Sequence, residues 1–223
     1  HGEYRRQRQM CIRDSMITTA EHAIAMMFAV ARQIPEASIS THEGKWEKSR
    51  FMGVELTRKT LGVIGAGNIG RIVCERARAL QMKVLAYDPF LGEEKADSMG
   101  VEKVELNELL QKADFITLHV PYTEATKNIL SRENLSKTKK GVRIINCARG
   151  GLVDENALAD LIRSGHIAGA GFDVFSDEPA TDNPLFQIPN VVCTPHLGAA
   201  TSEAQENVAI QVAEQMANSV SYT

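Results

Sequence analysis

The feature that most constrains this chain begins at Thr60, where short apolar runs of strand length start to alternate with amphipathic helical stretches. The strand-like runs are LGVIG (61–65), KVLAYD (83–88), DFITLHV (114–120), VRIINCA (142–148), IAGAGFDV (167–174) and NVVCTP (190–195). Between the first two, Ile69, Ile72, Val73, Ala77 and Leu80 share one helical face. Ser131 precedes a short helical segment that ends at Gly141. Asp154 is placed to cap a helix that turns Leu158, Leu161 and Ile162 inward and stops at Gly165. Ser202-x-x-Gln205 opens a last helix with Val208, Val212 and Met216 on one side. Strands that are apolar throughout, separated by helices, imply a parallel sheet covered on both faces. The expected fold is α/β, a Rossmann-like doubly wound parallel sheet of six strands.

Composition narrows the class further. The 223 residues are 43% apolar and 24% charged, within the globular range and outside the disordered one. A net charge of −3 lacks the basic excess of a dedicated nucleic-acid binder. The longest strongly apolar stretch, Ala23 to Ala31, falls far short of the ~20 residues of a membrane span. Cys11, Cys74, Cys147 and Cys193 are scattered, which argues for a reducing, cytoplasmic setting and against a disulfide framework or a metal site.

Along the chain, residues 1–15 are basic and Gln-rich and read as a non-native segment, and 219–223 as a tail. Residues 16–59 read as an interdomain or dimerisation helix with its connector, and 60–218 as the sheet domain. Thr18-x-x-Glu21 has capping-box spacing. Ala20 to Arg32 is apolar on nearly every face, which calls for burial between domains or subunits. The connector 35–59 carries the only tryptophan, Trp46, which with Phe51 is either local core or an anchor on a partner chain. Both segments point to a homodimer.

Gly65-Ala66-Gly67-Asn68-Ile69-Gly70 reads G-x-G-x-x-G, with a strand before it, a helix after it, and a second strand ending in Asp88. Gly65 permits the tight turn, Gly67 lets the backbone approach a pyrophosphate, and Gly70 lets helix and strand pack closely. A helix starting near Asn68 aims its free N–H groups at the phosphates. Asp88 can accept hydrogen bonds from both ribose hydroxyls and repels a 2′-phosphate, favouring NAD over NADP.

Ligands in open parallel sheets bind beyond the carboxyl ends of the strands. Val120-Pro121, Cys147-Ala148-Arg149, Asp173 and His196 all fall at or just past such ends. Each also has a plain structural use: a cap for Asp173, small core for Cys147, a loop hydrogen bond for His196. His22, His42 and His119 read as structural or exposed, and His166 as lying at the opposite edge of the sheet.

GVIGAGNIG, INCARGGLVDENAL, GFDVFSDEP and NVVCTPHLGAAT, in that order, resemble the D-isomer-specific 2-hydroxyacid dehydrogenases over roughly 17–218. The resemblance implies the nucleotide-binding domain of such an enzyme, with the first substrate-binding half and any regulatory domain lying outside this sequence. It implies Arg149 as the residue that orients the substrate carboxylate and carbonyl, His196 as acid/base, and Glu178 as the carboxylate that pairs with it and favours imidazolium. For NAD it implies Asn68 and Ile69 over the pyrophosphate and Asp88 on the ribose. Val120, Cys147 and Ala148 would line the path between adenine and nicotinamide. Asp173 would accept from the nicotinamide carboxamide, with His196, Leu197, Gly198 and Ala199 at that end. Many relatives carry Arg where this chain has Asn68, leaving backbone donors to hold the pyrophosphate. The substrate would be a small 2-hydroxy acid. The rivals are a glyoxylate/hydroxypyruvate or D-lactate reductase of the same family, and a non-catalytic module of the same fold that senses NAD(H) and docks peptides.

Overall fold

The computed structural model describes residues 16–205. Its elements are α1 (Met16–Arg32), α2 (Ile34–His42), β1 (Thr60–Ile64), α3 (Asn68–Ala79), β2 (Lys83–Tyr87), α4 (Glu93–Met99) and β3 (Glu102–Lys103). There follow α5 (Leu106–Lys112), β4 (Phe115–Leu118), α6 (Arg132–Ser136), β5 (Val142–Asn146), α7 (Glu155–Arg163), β6 (Ile167–Phe172) and β7 (Val191–Cys193). All pairings are parallel and the strand order is β3-β2-β1-β4-β5-β6-β7. From β1 the chain winds outward through β2 and β3, then crosses back to β4 and continues the other way. The switch point between β1 and β4 opens a crevice at their carboxyl ends, where such sheets take ligands.

Six strands match the sequence reading, and the seventh, β3, is an addition. Glu102 and Lys103 are polar and become strand only by pairing with Leu85 and Ala86 at the sheet edge. The strands also stop sooner than the apolar runs. β5 ends at Asn146 and β6 at Phe172, so Cys147–Arg149 and Asp173 lie in the loops beyond them.

Two cores cover the sheet. One gathers Ile64, Leu85, Ile116, Leu118, Ile144 and Phe172 with α5, α6 and α7. The other gathers Leu61, Val63, Phe115 and Ile145 with α1 and α3. Each large apolar side chain withdrawn from water in them is worth about 1.5–3 kcal/mol. Asp154 caps α7 as expected, accepting from Ala157 N; Ser131 caps α6, accepting from Asn134 N, and α6 stops at Ser136, short of the expected end at Gly141.

Helix α1 differs from its sequence reading. Ala20, Ala23, Met26, Met27, Val30 and Ala31 are buried in the domain's own core against the sheet and α3. The helix is already formed at Met16, so Thr18 sits inside the first turn, and its Oγ1 lies 3.4 Å from Thr201 Oγ1. Pro35 does not end helical structure. The chain resets at Gln33 (φ 51°), and Pro35 occupies the first turn of α2, where its missing N–H costs nothing. Trp46 is 87% exposed, which rules out local core for it. At the far end Thr201, not Ser202, caps the helical turn at 202–205, accepting from Ala204 N at 3.2 Å. Val208, Val212 and Met216 lie outside the described residues.

Candidate cofactor and active site

The loops that follow β1, β2, β4, β5, β6 and β7 meet at the carboxyl edge of the sheet. The first follows β1. Gly65 (φ 95°) makes a left-handed turn, and its N–H is held by Tyr87 O at 2.9 Å. A Cβ on Gly70 would sit 1.9 Å from Gly65 O, so α3 approaches the strand end more closely than any other residue permits. A Cβ on Gly67, by contrast, would meet no protein atom within 4 Å. That glycine leaves open space beside the loop and the N-terminus of α3, a cradle that suits a pyrophosphate. Past β2, Asp88 braces the loop: Oδ2 accepts from Ala66 N at 2.9 Å and Oδ1 from Phe90 N at 2.8 Å. Each carboxylate oxygen keeps a further lone pair for a ribose hydroxyl.

A cavity of about 300 Å³ brings Asn68 and Ile69 together with Val120, Cys147, Ala148 and Arg149. It also takes in Pro121, named with Val120 at the strand end, and Met16, Thr19 and His119, which the sequence reading did not assign there. His119 bonds Thr117 Oγ1 at 3.0 Å, and burial pushes its imidazole down to about 4, so it is neutral at ordinary pH. Its position one residue before Val120-Pro121 was the available signal. Cys147 is nearly fully buried. Burial, and then the charge of Asp173, push its thiol well above the ordinary range, which makes it a wall and not a nucleophile.

The loop carrying Arg149 is set by Asn146, a buried residue that the sequence reading overlooked. Asn146 Oδ1 accepts from Ala148 N (3.1 Å) and Nδ2 donates to Arg149 O (3.0 Å). Arg149 itself donates from Nη1 to Ala148 O at 2.6 Å and is half-buried at the cavity rim.

A second cavity, of about 480 Å³, is lined by Glu178, Pro179, Phe175, Phe186, Thr194 and His196, among others. His196 adopts φ 57°, and its Nδ1 lies 2.7 Å from Glu178 Oε2. With Glu178 ionised, Nδ1–H is the donor, and Nε2 remains to exchange a proton with a substrate. Glu178 is fixed in turn by Phe175 N, which donates to Oε1 at 3.0 Å.

Asp173 directly follows the end of β6. Its carboxylate is fully buried and accepts from Thr194 Oγ1 (2.5 Å), Leu197 N (2.7 Å) and Gly198 N (2.8 Å), with His22 Nε2 at 3.2 Å. These donors bracket His196, so Asp173 clasps the loop that presents it. Desolvation raises the Asp173 pKa, but the bonds from His22, Thr194 and Leu197 outweigh it and hold the carboxyl below the ordinary range. Thr19 adds a bond to Gly198 O at 3.3 Å. Leu197, Gly198 and Ala199 line neither cavity, and neither does Asp88. His22 is structural as expected. His166 bonds Thr138 Oγ1 at the amino end of β6, away from these loops. No group of three potential metal ligands occurs among the described residues, and no described helix is long and apolar enough to cross a membrane.

The family model for the D-isomer specific 2-hydroxyacid dehydrogenase NAD binding domain matches residues 24–198. The chain is 52% identical over 200 residues to a D-3-phosphoglycerate dehydrogenase of Synechocystis, covering 90% of this chain and 36% of that protein. It is 51% identical to the D-3-phosphoglycerate dehydrogenase of Bacillus subtilis, covering 90% and 38%. Among solved structures it is similar to the D-lactate dehydrogenase of Aquifex aeolicus complexed with NAD and lactic acid, with TM-score 0.84 and 32% identity, covering 93% of this chain and 67% of that one. The chain thus spans somewhat over a third of the length of the curated relatives it matches.

Proposed function

Because the chain belongs to the D-isomer-specific 2-hydroxyacid dehydrogenase family and carries its NAD binding domain, we propose that it is the cofactor-binding, proton-transferring part of an enzyme that oxidises D-3-phosphoglycerate to 3-phosphohydroxypyruvate. The observation that carries the reading is the His196–Glu178 pair at 2.7 Å, on the same sheet edge as the Arg149 loop and the glycine turn. The phosphoglycerate substrate is supported by identities of about 50% to enzymes of that name.

Gly65–Gly70 would hold the pyrophosphate of NAD and Asp88 its ribose hydroxyls, and NAD bound there would supply the hydride acceptor for the carbinol carbon of the substrate. His196 Nε2 takes the hydroxyl proton as that hydride leaves, so the carbon loses two electrons and the ring gains one proton. Glu178 holds Nδ1–H and stabilises the imidazolium that forms. Arg149 presents a planar fork to the carboxylate and the oxygen being oxidised, fixing the face from which hydride departs. Asp88 opposes a 2′-phosphate, which makes NAD the preferred cofactor over NADP. Asn68, Ile69, Val120, Cys147, Ala148, Asp173, Leu197, Gly198 and Ala199 complete the cofactor wall, Asp173 by holding the loop 194–198 in place.

We further propose a homodimer or homotetramer. Trp46 (87% exposed), Met52 (81%) and Ile34 and Ile39 of α2 are large apolar side chains left exposed, and apolar surface of that kind favours a partner copy. The free thiols Cys74, Cys147 and Cys193 agree with a cytoplasmic setting.

The test is turnover by the full-length enzyme with NAD and a panel of D-2-hydroxy acids, followed by NADH absorbance. D-3-phosphoglycerate should exceed D-lactate in kcat/KM by about 100-fold or more. Equal turnover of D-lactate would overturn the substrate, and binding without turnover of any 2-hydroxy acid would favour a sensing module.

A further inference from the structure

Glu155 is a buried carboxylate that the reaction as described does not use. It stands at the first position of α7, 9% exposed, six residues after Arg149. All three of its hydrogen bonds reach across to one loop. Oε1 accepts from both N and Oγ of Ser176 (2.9 and 3.0 Å), and Oε2 accepts from Asn183 Nδ2 at 2.7 Å. Ser176 and Asn183 are the two ends of the segment that carries Glu178. The Asn183 amide is itself oriented, because its Oδ1 accepts from Leu185 N at 3.0 Å. The same loop is pressed against the Arg149 segment, since a Cβ on Gly150 would lie 1.8 Å from Phe175 O.

We propose that Glu155 is a positioning residue: its carboxylate staples both ends of the 176–183 loop to the Arg149–α7 segment and so sets Glu178 against His196. It touches neither substrate nor cofactor and acts through Glu178. The inference rests on the acid/base reading of the His196–Glu178 pair. A carboxylate suits the task because it is acceptor-only and can take donors at both ends at once. An amide cannot. Glutamine in its place would turn an NH2 toward either Ser176 N–H or the Asn183 NH2, releasing one end of the loop. Reversing Asn183 to relieve the conflict would take the acceptor from Leu185 N.

The test uses the full-length enzyme and four variants: Glu155→Gln, Glu155→Gln with Asn183→Asp, Glu178→Gln, and Glu155→Gln with Glu178→Gln. NADH affinity, measured by fluorescence titration, should stay within about twofold of wild type in all four, showing that the domain is folded. Glu155→Gln should lower kcat about tenfold with little change in KM for NAD. Adding Asn183→Asp exchanges amide and carboxylate across the same bond and should return kcat to within about threefold of wild type. In the Glu178→Gln background, Glu155→Gln should cost little more, because both changes act through one group. Multiplying effects, or a Glu155→Gln enzyme with wild-type kcat beside an impaired Glu178→Gln enzyme, would overturn the role of Glu155 alone. Failure of the Asn183→Asp exchange to restore kcat would do the same. An unimpaired Glu178→Gln enzyme would instead overturn the His196–Glu178 reading, and this inference with it.

Discussion

Replacing Gly67 with alanine separates what the glycine loop does for the fold from what it does for the cofactor. Gly67 has φ −67° and an extended ψ of −156°, with no left-handed strain to relieve or create. Its new Cβ would meet no protein atom within 4 Å. A Gly→Ala change at a compatible position stabilises by about 0.4–1 kcal/mol through the unfolded chain, so the melting temperature should hold or rise by about 1–4 °C. The methyl group does fill the space assigned to the pyrophosphate. NADH affinity should therefore fall about 10- to 100-fold, or roughly 1.4–2.7 kcal/mol. Gly70→Ala is the contrasting control. Its Cβ would lie 1.9 Å from the backbone oxygen of Gly65, so helix and strand must separate, at a cost of about 1–3 kcal/mol or more. Both melting temperature and affinity should fall. The assays are calorimetric titration with NADH and thermal unfolding of the same samples. A Gly67→Ala protein that binds NADH like wild type would refute the placement of the pyrophosphate. A Gly70→Ala protein with unchanged melting would refute the loop geometry.

Asp88→Asn keeps an acceptor for one of Ala66 N and Phe90 N but removes the charge, and should narrow the preference for NADH over NADPH about tenfold, read by titration with both. Asp173→Asn sets an amide NH2 against backbone N–H donors and should cost about 1–3 kcal/mol per orphaned donor, seen in denaturant unfolding. The folded-state pKa of Asp173 is depressed, so its contribution is complete above the unfolded value of about 3.9 and is lost only as pH falls below that. The difference in stability between wild type and Asp173→Asn should accordingly be flat from pH 7 to 5 and shrink at lower pH. In the full-length enzyme, His196→Ala should remove about 10²–10⁴ of kcat with NADH affinity retained, whereas Arg149→Lys should mainly raise the substrate KM.

The sheet was legible because six of its seven strands correspond to continuous apolar runs, and the glycine loop because its spacing follows one of them. What escaped depends on tertiary pairing. Glu102–Lys103 has no strand character until Leu85 and Ala86 bond it. α4, EEKADSM, buries only Ala96 and Met99 and shows little apolar periodicity. Pro35 reads as a stop until the turn at Gln33 places it at a helix start. At the site, the residue types at the strand ends pointed to the right edge, but the pairing of Glu178 with His196 across eighteen positions came from family resemblance alone. Asn146, Glu155 and the His22–Asp173 clasp left no trace in the sequence. Each is a polar side chain whose use is decided by which loop happens to cross above it.

A crystal structure of this chain with NADH tests the central claim most directly. The pyrophosphate should lie over Gly65–Gly70 with its oxygens on the backbone amides at the start of α3. The adenosine ribose hydroxyls should bond Asp88, and the nicotinamide should lie between Arg149 and His196. NADH seated elsewhere, for instance in the cavity of about 630 Å³ between α1 and α2 that Phe28, Arg32 and Ile34 help line, would contradict it. So would a nicotinamide beyond reach of His196.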